Sequence, residues 1–400
     1  MSPSVLEVGI SGGDGCEEGR FRKRFMIFGI AGILLGAATA LVVVYMLAVT
    51  GFHFYNGAVF DQPASALAIY VVNVVLIGVV SVMAIAVGVR LVMGKVRGAH
   101  LTSEIVSLLL CGCALCSLML DGVSLTFFAT LAIAGINAVM FDLADPALAD
   151  ERRLQRKLRD MEVRDEAREG TLGMDRSGKG LVAVNFFNLF WIFTVGMVVG
   201  DAVETVYHYM IEVPGEFQIR AGMLWGPFSP IYGFGAVLLT LVLNRFYRAN
   251  VLVVFLVSAL LGGAFEYAVS WFLEFAFGSV AWDYTGRFLN INGRTDFMFM
   301  CMWGFLGAMW IKVLLPWVAK VINMIPWKWR YTITTACAAF VIFDGVMTLM
   351  ALDCWYLRLA GSDTGEVAVM QFFSDHFDNA YMESRFQSMS IHPELTSRVS

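Results

Sequence analysis

Ser65–Met93 reads SALAIYVVNVVLIGVVSVMAIAVGVRLVM, and its one charge, Arg90, stands close to its end. A helix rising about 1.5 Å per residue needs about 20 apolar residues to cross a hydrocarbon core about 30 Å thick, and this run exceeds that. In lipid each span must satisfy its own backbone hydrogen bonds, so the run reads as a helix. Eight more apolar runs share the pattern: Phe25–Val49, Leu101–Leu120, Gly122–Phe141, Asn185–Ile211, Pro230–Asn244, Val251–Phe275, Phe297–Pro316 and Tyr331–Leu357. The expected fold is all-α, a polytopic membrane protein of about nine transmembrane helices.

Composition points the same way. Hydrophobic residues make up 58% of the 400 and charged residues 15%, and the mean hydropathy is +0.70. That is too little charge to cover a soluble surface of this size. A net charge of −5 gives no basic face for nucleic acid. Seven cysteines in a chain this long do not read as a disulfide framework.

Lys and Arg set the orientation. Arg20, Arg22, Lys23 and Arg24 precede the first run and place the N-terminus in the cytoplasm. The loop His53–Pro63 has neither residue and reads as outside. Arg90, Lys95 and Arg97 lie inside, as do the segment Asp142–Lys179, the pair Arg245 and Arg248, and Lys320, Lys328 and Arg330. Alternation then leaves the C-terminus extracytoplasmic. The expected divisions are a disordered, basic-ended N-terminus (1–24), a four-helix membrane module (25–143), a charged cytoplasmic linker helix (144–184), a four-helix membrane domain (185–329), a ninth span (330–357) and an extracytoplasmic tail (358–400).

Ionisable residues inside a span cost about 2.5–3.5 kcal/mol each at the helix centre and call for a reason. Asp201, Glu204 and His208 recur at spacings of three and four, on one helical face. Glu266 stands at a similar depth, Glu274 near the outer surface, and Asp344 near the middle of the ninth run. The sixth run opens with Gly226-Pro227-Phe228-Ser229-Pro230, where Ser229 suits an N-cap and Pro230 the first helical turn. From there about 15 residues, roughly 22 Å, remain before Asn244, so part of Arg220–Ser229 is expected to dip into the membrane as irregular backbone. A short, Gly/Pro-interrupted span is a pointer to a transporter site. The loop Trp282–Arg294 is expected on the same side and offers Trp282, Asp283, Tyr284, Arg287, Asn290, Asn292 and Arg294. Together these predict one outward polar cavity, with Glu204 and Glu266 carrying protons or a cationic group. Arg294 and Arg287 would pair with them or with an anionic group. Arg220, Gly226, Pro227, Ser229, Pro230 and Tyr232 would shape its entrance. A metal at Asp201, Glu204 and His208 is the weaker reading of that face, and no cofactor is expected. Gly173-x4-Gly178-Lys179 resembles a phosphate loop, but Gly180 replaces the required Ser/Thr and no strand precedes it.

From Gly200 to Glu204, then through Gly226–Gly235, Phe265-Glu266-Tyr267, Trp282-Asp283-Tyr284, Asn290–Arg294 and Trp303-Gly304, the chain resembles the CmpB-like family of type IV ABC-transporter membrane proteins. The resemblance covers about Asn185 to Trp329 and leaves out the first four spans and the ninth. Arg220 departs from the family's Arg-Gly pair, with Ala221 standing between it and Gly222. The resemblance implies a permease-like component in the cell membrane of a Gram-positive bacterium, served by a separate cytoplasmic ATPase subunit, since this chain has no ATPase motif. Beyond the lipid bilayer and that subunit, a homo-oligomer is compatible with the chain, though no residue marks its surface. The alternatives are a membrane-embedded enzyme acting on a lipid or cell-wall intermediate, and a membrane sensor or assembly factor.

Overall fold

The computed structural model describes residues 14–55, 64–94, 99–144, 158, 161–169, 171, 173–175, 177–326, 328–361 and 368–396. The expectations for residues 1–13, for the loop at 56–63, for Lys95 and Arg97, and for most of the linker before Met161 lie outside these. The chain separates into two compact units, Met1–Lys157 and Leu158–Arg398.

The first unit holds α1 (Asp14–Tyr55), α2 (Ala64–Val92), α3 (Ala99–Asp121) and α4 (Leu125–Ala144). The second holds α5 (Phe186–Tyr207), α6 (Pro230–Leu243), α7 (Val251–Phe277), α8 (Phe297–Met309), α9 (Leu315–Asn323) and α10 (Arg330–Leu359), then two short tail helices, α11 (Ala368–His376) and α12 (Asn379–Arg385). Its only sheet among the described residues is one antiparallel pairing of β1 (Ser279–Val280) with β2 (Ser390–Ile391). Seven of the helical segments are long and apolar enough to cross a membrane, and two shorter apolar ones lie at Leu125–Ala138 and Pro230–Phe246. The protein is an all-α, polytopic membrane protein. Each apolar run in the sequence falls on a helix.

Two of these helices widen locally. After α5 a π turn spans His208–Glu212, where the Val213 N–H reaches the His208 carbonyl at 2.9 Å. Between α8 and α9 a second covers Trp310–Leu314, just before Pro316. Proline has no N–H to give and its ring crowds the preceding turn, so the helix loosens there. The core of the second unit is built from Ile192, Leu239, Leu243, Val254, Ile311 and Leu315, all buried. Within it the Trp310 indole donates to Thr240 Oγ1 at 2.9 Å. Asn244 closes the bottom of α6: its Oδ1 accepts from the N–H groups of Leu181 and Val182 at 2.8 and 3.1 Å.

The glycine-rich stretch before α5 is closed to phosphate. Asp175 takes the N–H groups of Ser177 and Gly180 at 2.8 and 2.6 Å, the kind of donor an anion would need. Those bonds, the Ser177 hydroxyl first, hold its carboxyl below the usual range.

Candidate functional site

α5 carries Asp201 and Glu204, and the π turn that follows adds His208 and, four residues on, Glu212. Arg220 reaches them from the irregular segment before α6. Its Nη1 lies 3.6 Å from Glu204 Oε1 and its Nη2 2.8 Å from Glu212 Oε2, and it also bonds His208 Nδ1. His208 Nδ1 stands 2.9 Å from Glu212 as well. Arg220 therefore meets Glu204, Glu212 and His208 despite its displacement from the family pattern, while its Nε has no hydrogen-bond partner among the described residues. Glu212 escaped the sequence reading because it lies where the apolar run ends, although the four-residue spacing from His208 marks it.

The first residue of α6, Pro230, follows Ser229 as the sequence predicts, but Ser229 makes no side-chain cap. Its N–H instead donates to the Met197 carbonyl at 3.3 Å, which ties the start of α6 to α5. Two residues into the helix, the Tyr232 phenol hydrogen-bonds Glu204 and lies within electrostatic range of Tyr284 and Glu266. Gly200 makes room for it: a Cβ there would collide with the Tyr232 ring.

Glu266, on α7, is 5% exposed. Its two carboxylate oxygens are each satisfied by a hydroxyl, Tyr284 on Oε1 and Thr295 on Oε2, both at 2.9 Å. Neither loop arginine pairs with it. Arg294 grips Glu274 with both terminal nitrogens at 2.8 and 2.9 Å, and Arg287 lies 3.8 Å from buried Asp296. Glu274 is thus ion-paired. Arg294 makes a fork of parallel bonds to a carboxylate, which is stronger than a single contact.

The loop is a fixed scaffold rather than a loose fringe. Tyr284 N–H donates to the Gly293 carbonyl at 2.7 Å, Trp282 Nε1 to the Arg294 carbonyl at 2.9 Å, and Asn292 Nδ2 to the Tyr267 hydroxyl at 3.0 Å. Asn290 accepts from Gly293 N–H at 3.1 Å. Asp283 folds onto the Thr285 hydroxyl and N–H at 2.6 and 2.8 Å, which hold its carboxyl below the usual range. Burial, then the Glu266 carboxylate, pushes the Tyr284 phenol well above its ordinary value, so it remains a donor at any working pH. Its ring stacks on Phe299, with centroids 4.4 Å apart.

The segment 213–229 is irregular, and several of its backbone groups are met by side chains of distant elements. Leu224 N–H donates to Thr348 Oγ1 at 3.0 Å and Trp225 N–H to Asp344 Oδ1 at 3.3 Å, both on α10. Gly226 turns the chain at φ 68°. The carbonyls of Met223 and Gly226 accept from Arg385 of α12 at 2.8 and 2.6 Å. Arg385 also lies within electrostatic range of Asp201 and Asp344, both buried. Among the described residues Asp201 Oδ1 and Asp344 Oδ2 have no hydrogen-bond partner. The tail is held over this turn at other points: Gln387 accepts from Gln218 Nε2 on its carbonyl and from the Ile219 N–H on its Oε1, both at 2.9 Å, and Phe377 packs edge-on to Trp225. Nothing in the sequence marks Arg385, which is more than 150 residues from the turn it caps.

The second unit is thus a multi-span helical membrane domain with a buried ionisable network shared by several of its helices. Residues 191–349 match a family model described as "Putative ABC-transporter type IV". The match covers less than half of the chain, lies wholly in the second unit, and runs past Trp329 into α10. It therefore takes in Asp344, which the sequence resemblance had left outside. No curated protein and no solved structure matches the chain. With the apolar helices, the family match points to a membrane transport component.

Proposed function

We propose that the chain is the permease-like component of a transporter in the cell membrane, with nine spans, a cytoplasmic N-terminus and an extracytoplasmic tail. The two short apolar helices are its fourth and sixth spans, the sixth completed by the irregular segment before Pro230. Energy comes from a separate ATPase subunit on the cytoplasmic side. Protons, or a cationic group, move along the path from the Arg220 cluster through Glu204, Tyr232 and Tyr284 to Glu266.

The observation that carries this reading is the position of Tyr232. Its hydroxyl bonds Glu204 of α5 and lies within electrostatic range of Glu266 of α7, two carboxylates that otherwise have separate partners. Ionisable groups this deep in an apolar fold are costly, and a chain of them linked by phenols forms a proton relay. Asp201 and Asp344, each with an unpaired oxygen beneath the Gly226 turn, add negative potential at one end of the path. Arg385 is the counter-charge that closes it.

The test uses the full chain in liposomes loaded with a pH-sensitive dye, under an imposed membrane potential. Wild type should conduct protons, and E266Q and Y232F should each reduce the flux at least tenfold while remaining correctly inserted. No flux in wild type, or equal flux in all three proteins, contradicts the reading.

A further inference from the structure

The first unit contains a cavity of about 580 Å³, within the range of small-molecule sites. It runs along α2 from Asn73 through Ile77, Val80, Ala84 and Val87 to Leu91, about 27 Å at about 1.5 Å per residue. Spread over that length, the volume leaves a mean section of about 20 Å², which is a slot and not a chamber.

The shape follows from how the four helices pack. α1 and α2 are drawn together by small residues: a Cβ on Gly29 would stand 2.7 Å from the Gly88 carbonyl oxygen. α3 and α4 are tied by Asn137, whose Nδ2 donates to the Ser103 carbonyl and to Ser107 Oγ at 2.9 Å. α2 and α3 share a core of Val80, Val106, Leu110 and Cys113. α1 and α4 scarcely touch. Along that unsealed side the lining residues Leu35, Val42 and Ile136 are exposed, at 40, 48 and 58%. In a unit of membrane-spanning helices, what meets this opening is hydrocarbon.

One polar group in the slot is left without a partner. Asn73 is 8% exposed, and its Oδ1 accepts no hydrogen bond from any described residue. Thr130, Ser103 and Thr39, which also line the slot, each donate to a backbone carbonyl. The other polar side chains of the wall are engaged as well, Asn137 with Ser103 and Ser107 and Ser117 with Thr126, so none of them answers Asn73. A donor on an otherwise apolar molecule does.

We infer that the first unit is a lipid site, which takes one hydrocarbon chain sideways between α1 and α4 and binds a hydroxyl or amide N–H on it at Asn73.

The full chain, stripped of lipid and placed in nanodiscs, is titrated with radiolabelled 1-hexadecanol and with methyl palmitate, which has no donor. Native mass spectrometry of protein taken straight from membranes identifies the natural occupant, and so separates a bilayer lipid from a free alcohol. Wild type should bind hexadecanol saturably and at least tenfold more tightly than the ester. N73L should bind both equally, which also shows that its slot is intact. A84F, which fills the slot, should bind neither and should retain no lipid from membranes. Absence of saturable binding, equal affinity for the two ligands in wild type, or the same retained lipid in wild type and A84F overturns the proposal.

Discussion

Glu266 owes its place to two hydroxyls. A buried carboxylate is tolerable when its lone pairs are occupied, and Tyr284 and Thr295 occupy one oxygen each. Removing one donor leaves the acceptor desolvated and unpaired, at a cost of about 1–3 kcal/mol. Y284F should therefore lower the thermal unfolding midpoint of the full chain, and T295V should do so by a similar amount. An unchanged midpoint in both would mean that the hydroxyls do not hold the carboxylate. The sequence marks Glu266 and Tyr284 as residues of interest, but not as partners. Eighteen residues and a turn separate them, and only the folded loop, pinned by Trp282 and Asn292, aims the phenol back into the helices. The same limit hides the pairing of Arg294 with Glu274, since charge alone does not say which of two nearby acids an arginine will grip.

Among the elements, the helices were the most legible, because a long apolar run in a membrane protein has one hydrogen-bonding solution. The start of α6 was readable too, from Ser229 and Pro230. What covers the irregular segment ahead of it was not. Its N–H groups are met by Thr348 and Asp344 of α10 and its carbonyls by Arg385 of α12. Those contacts depend on where two distant elements come to rest, which local pattern does not encode. The tail is thus a structural part of the site. R385A should free the turn, raising hydrogen exchange at the Leu224 and Trp225 amides, and R385K should restore only part of the protection because an ammonium cannot make the same fork. Exchange unchanged in R385A would show that the tail merely rests there.

At the scale of the whole molecule the chain is two compact units, and the family match falls in only one. The slot of the first unit is largely apolar. Charge alternation along the loops predicts that the two termini lie on opposite sides of the membrane. In right-side-out vesicles a protease should remove a tag at the C-terminus and spare one at the N-terminus; the reverse pattern, or loss of both, would overturn the assigned topology.

The central claim is that Glu204 and Glu266 serve one path through Tyr232, and a double-mutant cycle on proton flux tests it most directly. If the carboxylates act in series, flux through the E204Q/E266Q double variant should equal that of the slower single variant. A double variant slowed by the product of the two single effects would mean two independent routes, and wild-type flux in all three would mean no route at all.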